Sequence, residues 1–307
     1  MENTKPQARK DLTTEKQNPN SHRIDQRSIA EILDIMNRED QTLAAKVRAV
    51  MPAIAVAVEL AVKALRSGGH VYYIGAGTSG RLGVLDASEI PPTFSAPRDW
   101  FQGIIAGGRE ALVRSIEGAE DEPKDAEDAL IAAGFGPNDF LVGIASSSAT
   151  PYVVQALKYA HGIGAGTAYL ICNPRPLTDV DVDTLIAVDV GPEILTGSTR
   201  MKSGTVTKMV LNMISTATMI KIGKVYGNLM VDLSAVNLKL VDRGSRIIEQ
   251  LTGLSYDAAR TRLFEADKEV KTAIVMTLKN CDKDEAHRLI AANDGILRNI
   301  IGDVAGQ

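Results

Sequence analysis

The chain is 307 residues long, 45% hydrophobic and 23% charged, with a net charge of −4, the balance of an ordinary soluble globular protein with one large domain or one domain and an appendage. No basic field is available to draw in nucleic acid by counterion release, and aromatics at 4% supply few platforms for stacked bases. The opening stretch lacks the apolar core of a signal peptide, no run of about 18 apolar residues marks a transmembrane helix, the two cysteines without C-x-x-C spacing point to a reduced, cytoplasmic compartment, and four scattered histidines give no support to a zinc site.

Residues 1–11 are polar and are expected to be disordered. Residues 12–25, LTTEKQNPNSHRID, are dense in turn formers, more so than a tail needs. From Ser28 to Arg66 the apolar spacing is helical, first through Ile32, Leu33, Ile35 and Met36, then through an Ala/Val-rich run that RSGG ends. A repeating pattern follows. HVYYIG (70–75), FQGIIAG (101–107), DFLVGIA (139–145), GTAYLICN (166–173) and TLIAVDV (184–190) read as five short buried strands. Between them SGRLGVLDAS (79–88), expected to end at Pro91-Pro92, REALVRSIEG (109–118), PKDAEDALIAAG (123–134) and TPYVVQALKYAHGIG (150–164) read as helices. Apolar strands alternating with helices predict a doubly wound, mostly parallel five-stranded α/β sheet covered on both faces. After Gly197 comes one long apolar helix over 199–223, holding four of the nine methionines as core or dimer packing. The remainder reads as short helices, with a small helical C-terminal subdomain at 251–307 appended to a main domain at 12–250.

The chemistry concentrates in the loops. Gly75, Gly77 and Gly80 fit G-x-G-x-x-G, but a dinucleotide site also needs an acid at the end of the second strand, and that strand ends in Gly107-Gly108-Arg109, with Asp99 before it at the wrong end. Thr78 and Ser79 within the glycine loop favour a smaller phosphate held by backbone N–H groups at a helix N-terminus. The third strand runs into Ser146, Ser147, Ser148 and Thr150, more hydroxyls than one helix cap requires. A third loop before the long helix carries Thr196, Ser198, Thr199, Arg200, Lys202 and Ser203, and cations at a helix N-terminus make sense if an anion sits with them. By spacing alone Glu89 and Glu120 are solvated surface acids. These residues define a phosphosugar-type site and leave the reaction open.

Taken together, LTTEKQNPNSHRID, YIGAGTSGRLGVLDASEIPPTF, IEGAEDE, TPYVVQAL, EILTGSTRMKSGTVTKMVLNMIST and NLMVDL resemble the N-acetylmuramic acid 6-phosphate etherase family over nearly the whole chain from residue 12. The resemblance implies a sugar isomerase (SIS) fold, a homodimer, no metal or organic cofactor, and cleavage of the D-lactyl ether of N-acetylmuramate 6-phosphate to N-acetylglucosamine 6-phosphate and D-lactate in cell-wall recycling. Carried over by motif, Glu89 of DASEIPP is the proton donor and Glu120 of EGAE the second catalytic acid. The substrate and its phosphate fall to Gly77, Thr78, Ser79, Ser147, Thr150, Ser198, Thr199 and Lys202. The third-strand loop departs from the expected Ser-Gly-Arg-Thr: here it reads Ser147-Ser148-Ala149-Thr150, which keeps the hydroxyls, loses the glycine and arginine, and bears on how tightly the loop closes.

A helix starting at Ser79 places Glu89 roughly 15 Å from the phosphate end at 1.5 Å per residue. That span is too long for two positions of one sugar. Either the helix is short and its end folds back, or Glu89 serves the partner subunit's site, and the second is expected, which puts the site at the subunit interface. Two other classes share the phosphate loops: a non-catalytic phosphosugar sensor resembling the glucokinase regulatory protein, and an aldose–ketose phosphosugar isomerase with different acid and base residues. A DNA-binding regulator is disfavoured because no basic helix-turn-helix precedes the sheet.

Overall fold

The protein is described here from a computed structural model that covers residues 11–233 and 235–304, so all but Asp11 of the expected disordered stretch 1–11 lies outside the described residues. All five expected strands form: β1 (Val71–Gly75), β2 (Phe101–Ile105), β3 (Phe140–Ile144), β4 (Gly166–Ile171) and β5 (Thr184–Ala187). They make one sheet in the order β2-β1-β3-β4-β5, and every neighbouring pair is parallel. Every residue of β1 and β3 is buried, which is why these strands read as continuous apolar runs rather than alternating ones.

The order of the strands fixes where a ligand can sit. From β1 the chain leaves to one side to form β2, then crosses back over β1 to form β3 on the other side. The reversal leaves a crevice at the carboxyl ends of β1 and β3, the position where open α/β sheets bind ligands. The register keeps those ends level: Gly75 lies opposite both Ile105 of β2 and Ile144 of β3.

The helical segment before the sheet is three helices, α1 (Ile29–Gln41), α2 (Leu43–Ala49) and α3 (Met51–Arg66), rather than one. Pro52 explains the second break, since it cannot donate to a preceding turn and suits a helix start. Ser28 and Glu31 form a reciprocal capping box that starts α1. Helix α4 (Gly77–Phe94) corrects the expectation that the prolines end it. Pro91 and Pro92 lie inside its last turn. A proline's fixed φ is itself helical, so the cost is two missing N–H donors, and Ile90 and Phe94, four residues apart and both buried, hold the turn. The segment 109–118 is not an α-helix either: a short 3-10 turn spans Gly108–Leu112, and a second spans Ala119–Asp121 behind the left-handed Gly118. Helices α5 (Pro123–Ala132), α6 (Pro151–Gly162) and α7 (Lys202–Lys221) follow expectation, and α8 (Leu238–Thr252), α9 (Tyr256–Glu265), α10 (Val270–Lys279), α11 (Lys283–Ala292) and α12 (Leu297–Ile301) complete the chain.

Two compact units result. One takes the chain up to Ser88 together with Asp99–Ser215, and the other takes Glu89–Arg98 together with the chain from Thr216 onward. In the first, Tyr72, Ile74, Leu141 and Tyr169 of the sheet pack with Leu130 of α5 and Val153, Ala156 and Leu157 of α6. Helix α3 packs against β4 and β5. The second unit has its own core, including Leu233, Ile248, Leu251, Leu263, Val270 and Ile274, around a buried Lys271 whose ammonium donates to Asp232 and to the carbonyls of Gly223 and Gly295.

Candidate functional site

The glycine loop is shaped by two different demands. Gly77 has φ +53°, the left-handed region where a side chain is strained. Gly75 and Gly80 instead let strand and helix touch: a Cβ on Gly80 would lie 2.6 Å from the Gly75 carbonyl oxygen. The first turn of α4 is thereby held against the end of β1, with Thr78 half-buried and Ser79 buried. Ser79 Oγ lies 3.4 Å from Ser146 Oγ, so the hydroxyls of the β1 and β3 loops meet across the crevice. The first turn of α7 joins them: a Cβ on Gly204 would lie 3.5 Å from the Thr78 methyl. The three loops that the sequence singled out therefore converge at one end of the sheet.

The β3 loop is fixed by its own side chains. Ser148 stands where a glycine was expected and adopts the conformation that glycine favours, φ +59°. It is fully buried, and its Oγ accepts a hydrogen bond from Leu177 N at 2.9 Å. The missing glycine is thus answered by a bond that closes the loop onto the segment after β4. Ser147 is half-buried, and Thr150 sits at the start of α6 without forming a side-chain cap.

The third loop differs. The fully buried carboxylate of Glu193 accepts hydrogen bonds from Lys202 N and Ser203 N, each at 2.9 Å, and from Ser203 Oγ at 2.8 Å. The expected anion at the start of α7 is therefore already supplied by the chain. Lys202 is answered the same way. Its side chain is 2% exposed and its Nζ lies 2.6 Å from Glu39 Oε2 on α1. Burial pushes the Glu39 carboxyl up, but hydrogen bonds from Lys202, Asn20 and Asn18 outweigh it and hold the group below its ordinary value. Burial, aided by Lys202, pushes the nearby Lys46 ammonium down. Ser198 and Thr199, half-buried, lie in the turn just ahead of this sealed helix start.

Sequence reasoning missed the role of Arg81. Its guanidinium donates to the carbonyls of Leu112 and Arg114, at 3.2 and 2.8 Å, and so ties α4 to the segment that leads to Glu120. It also missed Asp86, whose carboxylate accepts from Lys208 Nζ at 2.7 Å and from Tyr73 OH at 3.2 Å, joining α4 to α7 and β1. Burial and the neighbouring Asp86 push the Tyr73 hydroxyl well up, so it remains a proton donor. Glu120 is exposed on its 3-10 turn, and Glu89 is exposed in the second unit, 12 residues after the start of α4. The structure thus brings Thr78, Ser79, Ser147 and Thr150 to one crevice and leaves both glutamates open to solvent. Among the described residues no three His, Cys, Asp or Glu side chains are placed to hold a metal ion, and no helix is long and apolar enough to cross a membrane.

Comparison with known proteins finds part of the chain first. The family of the glucokinase regulatory protein N-terminal SIS domain matches residues 53–161, the stretch that contains both the β1 and the β3 loops. Among solved structures, a phosphoheptose isomerase from Neisseria gonorrhoeae is similar at 17% identity, covering 62% of this chain and 99% of that one, with a TM-score of 0.46. The relatives over the full length are closer. An N-acetylmuramic acid 6-phosphate etherase of Salinibacter ruber is 52% identical, covering 95% of this chain and 94% of the relative. Etherases of Rhodopirellula baltica and Mycolicibacterium smegmatis are 50% and 49% identical, each over about 95% of this chain. The chain belongs to the N-acetylmuramic acid 6-phosphate etherase family.

Proposed function

We propose that this chain is a carbon–oxygen lyase that cleaves the D-lactyl ether of N-acetylmuramate 6-phosphate, releasing N-acetylglucosamine 6-phosphate and D-lactate. The observation that carries the reading is the full-length identity to etherases, together with two hydroxyl-bearing loops that meet at the switch point of the sheet. Thr78, Ser79, Ser147 and Thr150, with the backbone N–H groups at the starts of α4 and α6, hold the phosphate. Ser198 and Thr199 close the sugar side. Lys202 acts one step back, bracing its loop through Glu39.

The chemistry needs one acid and one base. The sugar opens to its aldehyde, which acidifies the proton on C2. Glu120 removes that proton, Glu89 protonates the lactyl oxygen as its bond to C3 breaks, and D-lactate leaves. Water then adds to C3 of the unsaturated aldehyde, a proton returns to C2, and the ring closes. One glutamate takes a proton and the other gives one, the division of labour that this elimination needs.

The protein acts as a homodimer in the cytoplasm, and Glu89 serves the partner subunit's site. Two features support this. Helix α4 runs unbroken to Phe94, which argues against a short helix that folds back. Helix α1 buries none of its own 13 residues, leaving Ile29 and Leu33 78% and 60% exposed, a face suited to a second copy. Incubation with N-acetylmuramate 6-phosphate is expected to release D-lactate, and Glu89→Gln or Glu120→Gln to lower kcat by about 10²–10⁴. Phosphosugar binding without lactate would leave a sensor. Mixed dimers of a Glu89→Ala subunit with a subunit altered in its phosphate loop should recover part of the activity, and no recovery would sink the shared site.

A further inference from the structure

Asn173, two residues past β4, is 1% exposed, and its amide makes four hydrogen bonds. Its Nδ2 donates to the Ser146 carbonyl at 2.9 Å and to Thr14 Oγ1 at 3.4 Å. Its Oδ1 accepts from Thr13 N at 2.9 Å and from Thr13 Oγ1 at 2.8 Å. One side chain therefore joins the turn-rich N-terminal segment to the loop that carries Ser147 and Thr150. The same segment also grips the third loop. Gly197 N donates to the Thr14 carbonyl at 3.1 Å, Ser21 Oγ donates to the Ile194 carbonyl at 2.8 Å, and Asn18 Nδ2 donates to the Pro192 carbonyl at 3.0 Å.

The consequence for the ligand follows from the peptide plane. In a trans peptide the C=O and the next N–H point in opposite directions. The Ser146 carbonyl is held by Asn173 Nδ2 and by Cys172 N at 3.1 Å, so the Ser147 N–H is aimed away from them. That donor belongs to the loop whose Ser146 hydroxyl faces Ser79. We infer that Asn173 is a positioning residue for the bound phosphate: it orients the Ser146–Ser147 peptide and, through Thr13 and Thr14, sets the spacing between the β3 loop and the loop before α7. The inference rests on the phosphosugar reading of the crevice.

Asn173→Asp keeps the acceptor for Thr13 and loses the donor to Ser146, whereas Thr13→Val removes one bond on the other side of the amide. Asn173→Asp and Asn173→Ala are expected to raise KM for N-acetylmuramate 6-phosphate by about tenfold with kcat nearly unchanged, the ratio lost with one or two hydrogen bonds. Inhibition by inorganic phosphate should weaken by the same factor. Thr13→Val should move both quantities the same way by less. A lower melting temperature with unchanged KM and unchanged phosphate inhibition would overturn the inference and leave Asn173 as a fold residue only. If Asn173→Ala does not fold, the Asp and Thr13→Val variants decide by the same criteria. The phosphate-induced rise in melting temperature, read on wild type and variants, does not depend on lactate release. An inactive wild type would therefore fail the etherase reading alone, and equal phosphate shifts in wild type and variants would fail this one.

Discussion

Helices α6 and α7 both begin after sequences rich in serine and threonine, and their first turns are in opposite states. At α7 the buried Glu193 carboxylate takes the N–H groups of Lys202 and Ser203 and the Ser203 hydroxyl, and Glu39 takes the Lys202 ammonium. At α6 no side chain caps the start: Thr150 makes no cap bond, Pro151 has no N–H, and Val153 and Val154 donate to the Thr150 backbone carbonyl. Hydroxyl density does not separate a helix end left open from one sealed by the protein. What separates them is whether the chain brings its own carboxylate to the N–H groups.

This contrast can be broken from its strongest side first. Glu193→Ala leaves two buried N–H groups and a hydroxyl unanswered, and should cost roughly 3 kcal/mol, a melting temperature lower by roughly 6–12 °C. Added sulfate should restore part of that loss at the vacated helix end, and equal sulfate effects on wild type and variant would argue against the sealing role. Glu39→Gln keeps an acceptor for Lys202 and loses only the opposing charge, so it should cost less, about 1–2 kcal/mol. Its pH dependence has a definite sign. The folded Glu39 titrates below its ordinary value, so its contribution is complete above the unfolded pKa of about 4.3 and disappears as pH falls through the folded one. Urea midpoints of wild type and Glu39→Gln should therefore approach each other in acid.

On the α6 side the effects on stability are smaller. Ser148→Ala keeps the left-handed backbone and loses the bond from Leu177, a cost of about 1 kcal/mol, while Ser148→Gly loses the same bond, relieves the strain and should cost less. Thr150→Val should leave stability within about 0.5 kcal/mol while raising KM, because its hydroxyl holds no cap. A large stability loss there would make α6 as sealed as α7.

The sheet was legible because each strand is a short apolar run bounded by turn residues, and the loops after β1 and β3 were legible because glycine and serine are rare at such density without a reason. Helix α4 was misjudged at Pro91-Pro92 because the two prolines each remove an N–H donor but keep a helical φ, and the buried Ile90 and Phe94 hold the turn together. The partners of Lys202 could not be read locally. Glu39 is 163 residues away and Glu193 sits nine residues before it in an irregular loop, where no period marks it as buried. The role of Arg81 could not be read locally either, since the carbonyls it binds, of Leu112 and Arg114, lie 31 and 33 residues further along the chain.

The brace of residues 13–21 also has a bearing on the order of events during synthesis. Its partners lie about 160 to 183 residues further along the chain, among the most distant pairings in the first unit. Contacts of such separation carry the largest loop-closure cost and are made late. Since synthesis runs from the N-terminus, residues 13–21 leave the ribosome long before Asn173, Pro192, Ile194 and Gly197 follow them. The polar composition of LTTEKQNPNSHRID suits that interval: a segment of threonines and asparagines can remain hydrated without sticking, and it docks when the loops it joins have formed.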